Sequence, residues 1–273
     1  MKVATLILNR NLPTITDKLF NKIKRKNKIK NDIFVIESGS DKNKLSKNFT
    51  WWANWNSAKK KGLRVPRGFN FGLSNLIKNK KFHDYDFFFM LTNDTEFNNE
   101  PFLDILIKEM KLHPKVGILS PCAKNWAERD IIKKNSTKYF WYLQNTCYLF
   151  RRSYLEQIMN FKNPNYKSCL YDGENFRGYG SDLELISKGY INDWASALTT
   201  KTMCFENENH LKKKYKIIKT EDYENNFDLY FKEGRQWARK KYGFNSRWQF
   251  LFYTKFLYNR FFEFYPNLKK YEI

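Results

Sequence analysis

Phe87-Phe88-Phe89-Met90-Leu91-Thr92-Asn93-Asp94-Thr95 is the stretch on which the fold reading turns. Large apolar residues in unbroken succession, stopped by a polar turn, predict a strand buried on both faces, because a half-exposed strand would alternate. A carboxylate at the tip of such a strand stands where an α/β sheet presents ligands, fixed by the strand beneath and open to solvent above. Asp94 therefore has two readings: a hard oxygen ligand for Mn²⁺ or Mg²⁺, or a cap for the helix that follows.

Upstream, Val3 to Leu8 is a short apolar run closed by Asn9-Arg10-Asn11-Leu12-Pro13, and Ile15 to Ile23 has helical spacing. Ile33 to Ile36 is a second buried-type strand, ending at Glu37-Ser38-Gly39-Ser40-Asp41. A β-α-β start predicts a parallel sheet with ligand loops at the carboxyl ends of its strands. Residues 42 to 62 give no regular element, and Trp51, Trp52 and Trp55 are expected to pack over the sheet's edge. Leu63-Arg64-Val65 predicts a third strand, and Gly68 to Gly72 leads into a helix ending near Lys80.

Downstream, Phe102 to Leu112 predicts a helix, and Val116 to Leu119 predicts a strand closed by Pro121. Tyr139 to Phe150 reads as one aromatic strand, Arg151 to Met159 as a helix, and a loop through Gly173 precedes a helix beginning near Ser181. Trp194 to Thr199 is a late strand. Beyond residue 220 the pattern turns helical, which predicts a catalytic unit over 1–220 and a C-terminal aromatic and basic helical extension over 221–273.

With 42% hydrophobic residues spread along 273 positions, the chain buries a full α/β core. No run of about 18 apolar residues occurs, and Met1 to Leu8 is too soon polar for a secretory signal. The expectation is a cytoplasmic protein. Cys122, Cys147, Cys169 and Cys204 are scattered without a C-x-x-C pair, as suits buried thiols. The net charge of +22 points to an acidic partner, such as a nucleotide diphosphate, anionic lipid headgroups or an anionic glycan, or reflects only a lysine-rich codon bias. Nucleic acid is not expected, since no zinc-finger spacing or RNP-like run accompanies the charge.

A second constellation is Phe176-Arg177-Gly178-Tyr179-Gly180-Ser181-Asp182-Leu183-Glu184-Leu185. Two glycines permit a tight entry into a helix, on which Asp182 and Glu184 point in different directions, so that one can face a cleft while the other contacts the frame. A carboxylate beside an acceptor hydroxyl can take its proton. The alternative is a helix start with an acidic first turn. Glu37 and Asp41 suit either a base and ribose contact or a simple turn, and His210 either a structural role or completion of a metal's coordination.

The order of these pieces resembles the family 2 glycosyltransferases, especially their rhamnosyltransferase-like branch, over roughly residues 3 to 215. A strand leading to a T-x-Y-N-R-like loop is matched by Leu6-Ile7-Leu8-Asn9-Arg10, and one ending in D-N-G-S-x-D by Glu37-Ser38-Gly39-Ser40-Asp41. An N-x-G segment is matched by Asn70-Phe71-Gly72-Leu73-Ser74-Asn75, a strand-end N-x-D-T by Thr92-Asn93-Asp94-Thr95, and a late D-x-D-L helix start by Asp182-Leu183-Glu184-Leu185. Glu37 stands where that pattern has aspartate, and Thr92 where an acidic residue or asparagine is common.

The resemblance implies a GT-A fold, a Rossmann-like mixed but mainly parallel sheet flanked by helices. It implies an inverting transfer from a nucleotide-diphospho-sugar to a hydroxyl of a glycan, lipid-linked or protein acceptor. Asn9, Arg10, Glu37, Ser40, Asp41, Asn70, Gly72, Asn75, Asn93 and Asp94 would form the donor site, with Asp94 and His210 on a divalent cation. Asp182 would be the base, and Arg177, Tyr179 and Glu184 would support it or the acceptor. The alternatives are an inactive GT-A domain that binds glycan and, further off, a basic nucleic-acid-binding protein.

Residues 247 to 264 combine aromatic bulk with a few cations. Apolar residues lie around most of the helical circumference, so the segment is expected to pack onto the catalytic unit or a second subunit, as in a homodimer, or to lie in a membrane interface at the inner face.

Overall fold

The computed structural model describes residues 1–125, 127–143, 146–207, 209 and 223–273. Val3–Asn9 (β1) is buried at every position, and Asn31–Glu37 (β2) lies parallel to it across the crossover helix Pro13–Lys26 (α1). The helix buries Thr16, Leu19 and Ile23, one stripe at three- and four-residue spacing. Phe49–Trp52 (β3) extends the parallel set beyond β2, and Phe87–Thr92 (β4) joins β1 on its other side.

The remaining strands are Thr95–Phe97 (β5), Val116–Ala123 (β6), Thr137–Tyr139 (β7), Cys147–Arg151 (β8) and Ala195–Glu206 (β9). They complete one sheet in the order β3-β2-β1-β4-β8-β6-β9-β5, with β7 on β9. The first four strands of that order are parallel; β8 runs antiparallel to both β4 and β6, and β6 returns to parallel against β9.

Three expectations are corrected. Leu63-Arg64-Val65 is no strand: Arg64–Lys78 is a helix (α3), preceded by the short helix Asn56–Lys61 (α2), and the third parallel strand is β3. Pro66 sits in the first turn of α3, where the backbone N–H groups lack intrahelical partners anyway, so proline there does not oppose helix. Pro121 does not close β6, which continues to Ala123 through a register shift at Pro121/Cys122, the kind of irregularity that tolerates proline. Tyr139 to Phe150 is not one strand. Its ends belong to β7 and β8, which serve different neighbours, because Tyr139 pairs with Ala197 whereas Cys147 pairs with Leu91.

Helices cover the sheet: Phe102–Leu112 (α4), Glu128–Ile131 (α5), Arg152–Ile158 (α6) and Ser181–Ile191 (α7). The C-terminal part adds Tyr223–Tyr242 (α8) and Arg247–Phe264 (α9). Ser246 caps α9 in a reciprocal capping box with Gln249. Tyr258, Phe261 and Phe262 of α9 enter the same apolar core as β1 and β4, and Thr254 bonds Ser187 of α7 at 2.9 Å. The Tyr258 hydroxyl donates to the Tyr139 carbonyl, and Glu272 bridges Tyr139 in parallel, so the chain's end is fastened to β7.

At the end of β2 the chain turns at Gly39 with φ +76°, against the backbone of α2. A Cβ there would stand 1.9 Å from the Ala58 carbonyl oxygen. Gly39→Ala is therefore expected to destabilise by more than about 1 kcal/mol from the left-handed backbone alone, with the collision added. Thermal unfolding should show a fall of several degrees, at about 2–4 °C per kcal/mol for a chain of this size.

Candidate functional site

The tips of β1, β2 and β4 share a buried polar network. Glu37 has 0% exposure, and its carboxylate accepts from Asn9 Nδ2 at 2.9 and 3.0 Å, from the Ser40 hydroxyl at 2.5 Å and from the Ser46 N–H at 2.8 Å. Asn93 Nδ2 donates to Asn9 Oδ1 at 2.8 Å and to Thr16 Oγ1 at 3.1 Å, joining the third strand tip to the other two. Burial pushes the Glu37 carboxyl above its ordinary range, and the hydrogen bonds from Ser40, Ser46 and Asn9 oppose that rise. Glu37 organises the loop from within and offers no free surface to a ligand.

Arg10 spans from this loop to α2, donating to the carbonyls of Ser38, Ala58, Lys59 and Lys60; a guanidinium is well placed at the negative end of a helix. Asp41 and Asn11 bond each other reciprocally, backbone N–H to Asn11 Oδ1 at 2.8 Å and Asn11 Nδ2 to carboxylate at 3.3 Å. Asn70 is fully buried, with Oδ1 accepting from the Leu170 and Tyr171 N–H groups and Nδ2 donating to the Tyr171 carbonyl, so it pins the loop before α7. Gly72 lets α3 approach the sheet, and Asn75 bonds the Phe71 carbonyl of its own helix.

Asp94 lies just past β4, partly exposed, its Oδ1 accepting from Thr92 Oγ1 at 2.5 Å. The Asp94 carbonyl accepts from the Asn207 N–H at 2.9 Å, and neighbouring Thr95 pairs with Glu206 at the end of β9. Asp94 and Glu206 thus lie close along the backbone where β5 meets the end of β9. Among the described residues no group of three or more His, Cys, Asp or Glu side chains is placed to hold a metal. His210 lies outside the described residues.

Gly178 and Gly180, at φ +89° and +76°, deliver the chain into α7. Asp182, in the first turn, lines a cleft of about 500 Å³ whose walls include Trp141, Tyr142, Tyr179, Tyr230 and Trp248. Burial lifts the Asp182 carboxyl to about 6, against the lowering effect of the N–H groups of Asp182 and Leu183 at the helix start. Glu184 points elsewhere: only 2% exposed, its Oε1 accepts from Lys241 at 2.8 Å and Tyr242 at 2.6 Å and pairs with Lys188 at 3.2 Å. Arg177 also faces α8, bonding Asn226 and Glu233.

Asp94 is not among the described residues lining the cleft. The Tyr230 phenol in the cleft wall is pushed up chiefly by burial, and the charge of Asp182 adds to that rise. The sequence offered no signal for Tyr230, Trp141 or Trp248 as cleft residues, since their approach to Asp182 depends on the packing of the tail.

No protein-family model matches the chain, and no curated protein does. Solved structures do. A mannosyltransferase from Pyrobaculum calidifontis, in complex with GDP-Man and Mn²⁺, aligns at TM-score 0.51 and 11% identity, over 75% of this chain and 56% of its own. S. aureus TarS 1–349 with UDP-GlcNAc aligns at 0.50 and 12%, over 88% and 74%. GalNAc-T7 with UDP, GalNAc and Mn²⁺ aligns at 0.54 and 8%, over 76% and 44%. The chain thus spans little more than half of the mannosyltransferase and less than half of GalNAc-T7. What it shares with them is the GT-A glycosyltransferase fold.

Replacing Glu37 by glutamine removes one acceptor atom while the donors from Asn9 and Ser46 stay in place. Glu37→Gln is expected to cost about 1–3 kcal/mol, the range for stranding a buried polar group, read as a lower urea midpoint with unchanged slope.

Proposed function

We propose that the chain is a glycosyltransferase that moves a hexosyl or deoxyhexosyl group from a nucleotide-diphospho-sugar to an acceptor hydroxyl, with inversion and with Asp182 as general base. The observation that carries the reading is the Asp182 carboxyl, fixed at a helix start, facing a cleft, and lifted to about 6. Such a group is ionised at neutral pH yet basic enough to accept a proton. The motif order supports a place near the rhamnosyltransferase-like branch of family 2, and the mannosyltransferase and TarS structures are complexes with GDP-Man and UDP-GlcNAc, nucleotide-diphospho-sugars of the kind meant.

In the reaction, the acceptor O–H gives its proton to Asp182 as the oxygen bonds the anomeric carbon. The bond from that carbon to the diphosphate breaks, and the nucleoside diphosphate departs with the electron pair. Asp94, with Glu206 beside it, would hold the divalent cation; a nucleotide-bound Mg²⁺ or Mn²⁺ commonly takes only one or two carboxylates and fills its shell with phosphate and water. The cation would supply charge neutralisation at the diphosphate. Asn9, Glu37, Ser40 and Asn93 hold the strand tips that carry this end of the site, and Asp41 and Arg10 shape its rim.

A second reading, an inactive domain that binds glycan, is favoured by the aromatic walls of the cleft, since sugar faces stack on such rings. The two readings part on turnover. Asp182→Asn should lower transfer by about 10²–10⁴ while nucleotide binding by calorimetry stays unchanged; transfer at the wild-type rate by the folded variant removes the base. The wild-type rate should rise with pH through about 6, as Asp182 ionises. Stability runs the other way. A folded-state pKa raised from 3.8 to about 6 means that stability declines as pH climbs across that window. Asp182→Asn should then melt higher than wild type above pH 6 and equal to it below about 4.

The cation assignment has its own test, titration of UDP, GDP and dTDP with and without Mn²⁺. Metal should tighten binding of one nucleotide by about tenfold or more, equivalent to about 1.4 kcal/mol, and Asp94→Ala should abolish that gain while leaving metal-free binding in place. Equal metal dependence in Asp94→Ala would refute Asp94 as a ligand.

A further inference from the structure

The helix α9 is apolar on both sides; one side is buried in the fold and the other is largely exposed. Phe250, Thr254, Tyr258, Phe261 and Phe262 are buried against α7, α8 and the core. On the opposite arc Trp248 is 55% exposed, Phe252 67%, Phe256 57%, Tyr253 41% and Phe264 68%. Trp248, Phe252 and Phe256 follow one another at four-residue spacing, so they form a single ridge, with Tyr253 and Phe264 on the flank beside it. A helix hydrophobic all round is stable in water only where its second face is covered.

We propose that this outer face of α9 docks the protein onto an anionic bilayer surface, lying in the interface plane without crossing it. Among the described residues no helix is long and apolar enough to cross a membrane. The side chains are of the interfacial kind: amphipathic Trp and Tyr rings with Phe between them, and Lys255 and Arg260 exposed on the same arc. Charge is complementary at both ends of the ridge. Exposed Arg239 and Lys240 close α8 just before the turn into α9, and exposed Lys269 and Lys270 follow it, in a chain of net charge +22. The one acid on the arc, Glu263, is paired with Arg260.

The ridge is also continuous with the cleft, because Trp248 belongs to both. Docking would set the mouth of the cleft at the lipid surface, where a membrane-borne acceptor could enter. That consequence rests on the glycosyltransferase reading; the docking does not.

The test uses the full chain with phosphatidylcholine vesicles, with and without phosphatidylglycerol. The protein should co-sediment with the anionic vesicles at low salt and release as salt rises, and brominated acyl chains should quench its tryptophan emission. A Phe252→Ser/Phe256→Ser variant, altered only at exposed positions, should bind about tenfold or more weakly with an unchanged melting temperature. Trp248→Phe should lose part of the quenching while still binding. No binding to anionic vesicles, equal binding to neutral ones, or full binding by the double variant would overturn the proposal. So would a concentration-dependent dimer, seen by sedimentation, that the double variant disrupts while vesicles remain unbound; the occupant of the ridge would then be a second copy. Vesicle results leave Asp182→Asn kinetics untouched, so failure here and failure of the base are separately visible.

Discussion

A carboxylate taken almost wholly out of water needs partners, and those of Glu184 come largely from side chains 57 and 58 residues further along the chain, Lys241 and Tyr242. Lys241 reaches Asp172 as well, at 2.6 Å, and Trp237 donates to the same Asp172 oxygen side at 3.0 Å. Burial alone would raise the Asp172 carboxyl, but the bonds from Lys241 and Trp237 outweigh it and hold it below its usual value. These bonds seat α8 on α7 and the loop before it. Removing one partner from such a cluster leaves an uncompensated buried charge, which is why it acts as a clamp and not as a surface ion pair.

The clamp and the cleft follow from one local fact, the two-residue separation of Asp182 and Glu184 on a helix. Side chains two apart diverge by about 200°, twice the 100° turn per residue, so a helix that gives Glu184 to Lys241 and Tyr242 must point Asp182 to a different side. The left-handed glycines before α7 set where that helix begins, and the first-turn N–H groups then face the Asp182 carboxylate. Tail packing raises the walls, with Tyr230 from α8 and Trp248 from α9. The apolar surroundings that make Asp182 basic are thus assembled by the same contact that excludes Glu184 from the cleft.

Elements whose burial is set locally were legible in the sequence. The Phe87–Leu91 run, the Phe102–Leu112 periodicity and the helix start at Ser181 each announce themselves, because continuous or periodic apolar burial leaves a continuous or periodic pattern. β3 did not, since a four-residue edge strand with a bulge in its pairing carries too little pattern to stand out from Trp51 and its lysine neighbours. The stretch from Tyr139 to Phe150 misled for the opposite reason: aromatic residues occupy strand and connection alike. The places of Asp94 past a strand tip and of Asp182 at a helix start were legible, but the inward turn of Glu37 was not. A glutamate in a D-N-G-S-x-D-like loop looks ligand-facing until Asn9, Ser40 and Ser46 are seen to occupy its oxygens.

The aromatic tail illustrates how one composition can serve two faces. Tyr258, Phe261 and Phe262 complete the core beneath β7, and Phe250 closes a smaller cluster with Leu183 and Trp237, so α9 is structural along its inner arc. Its outer arc is largely exposed, with Trp248 reaching the cleft and Tyr253 set against Phe244. Deleting residues 247–273 would therefore strip a wall from the cleft, expose core aromatics and free the strand β7 from Glu272 in one stroke. Loss of activity or of lipid binding in such a truncation would say only that the fold had opened. The two arcs can be told apart only by substitutions that respect the helix period, because 252 and 256 lie on one side of it and 254 and 258 on the other.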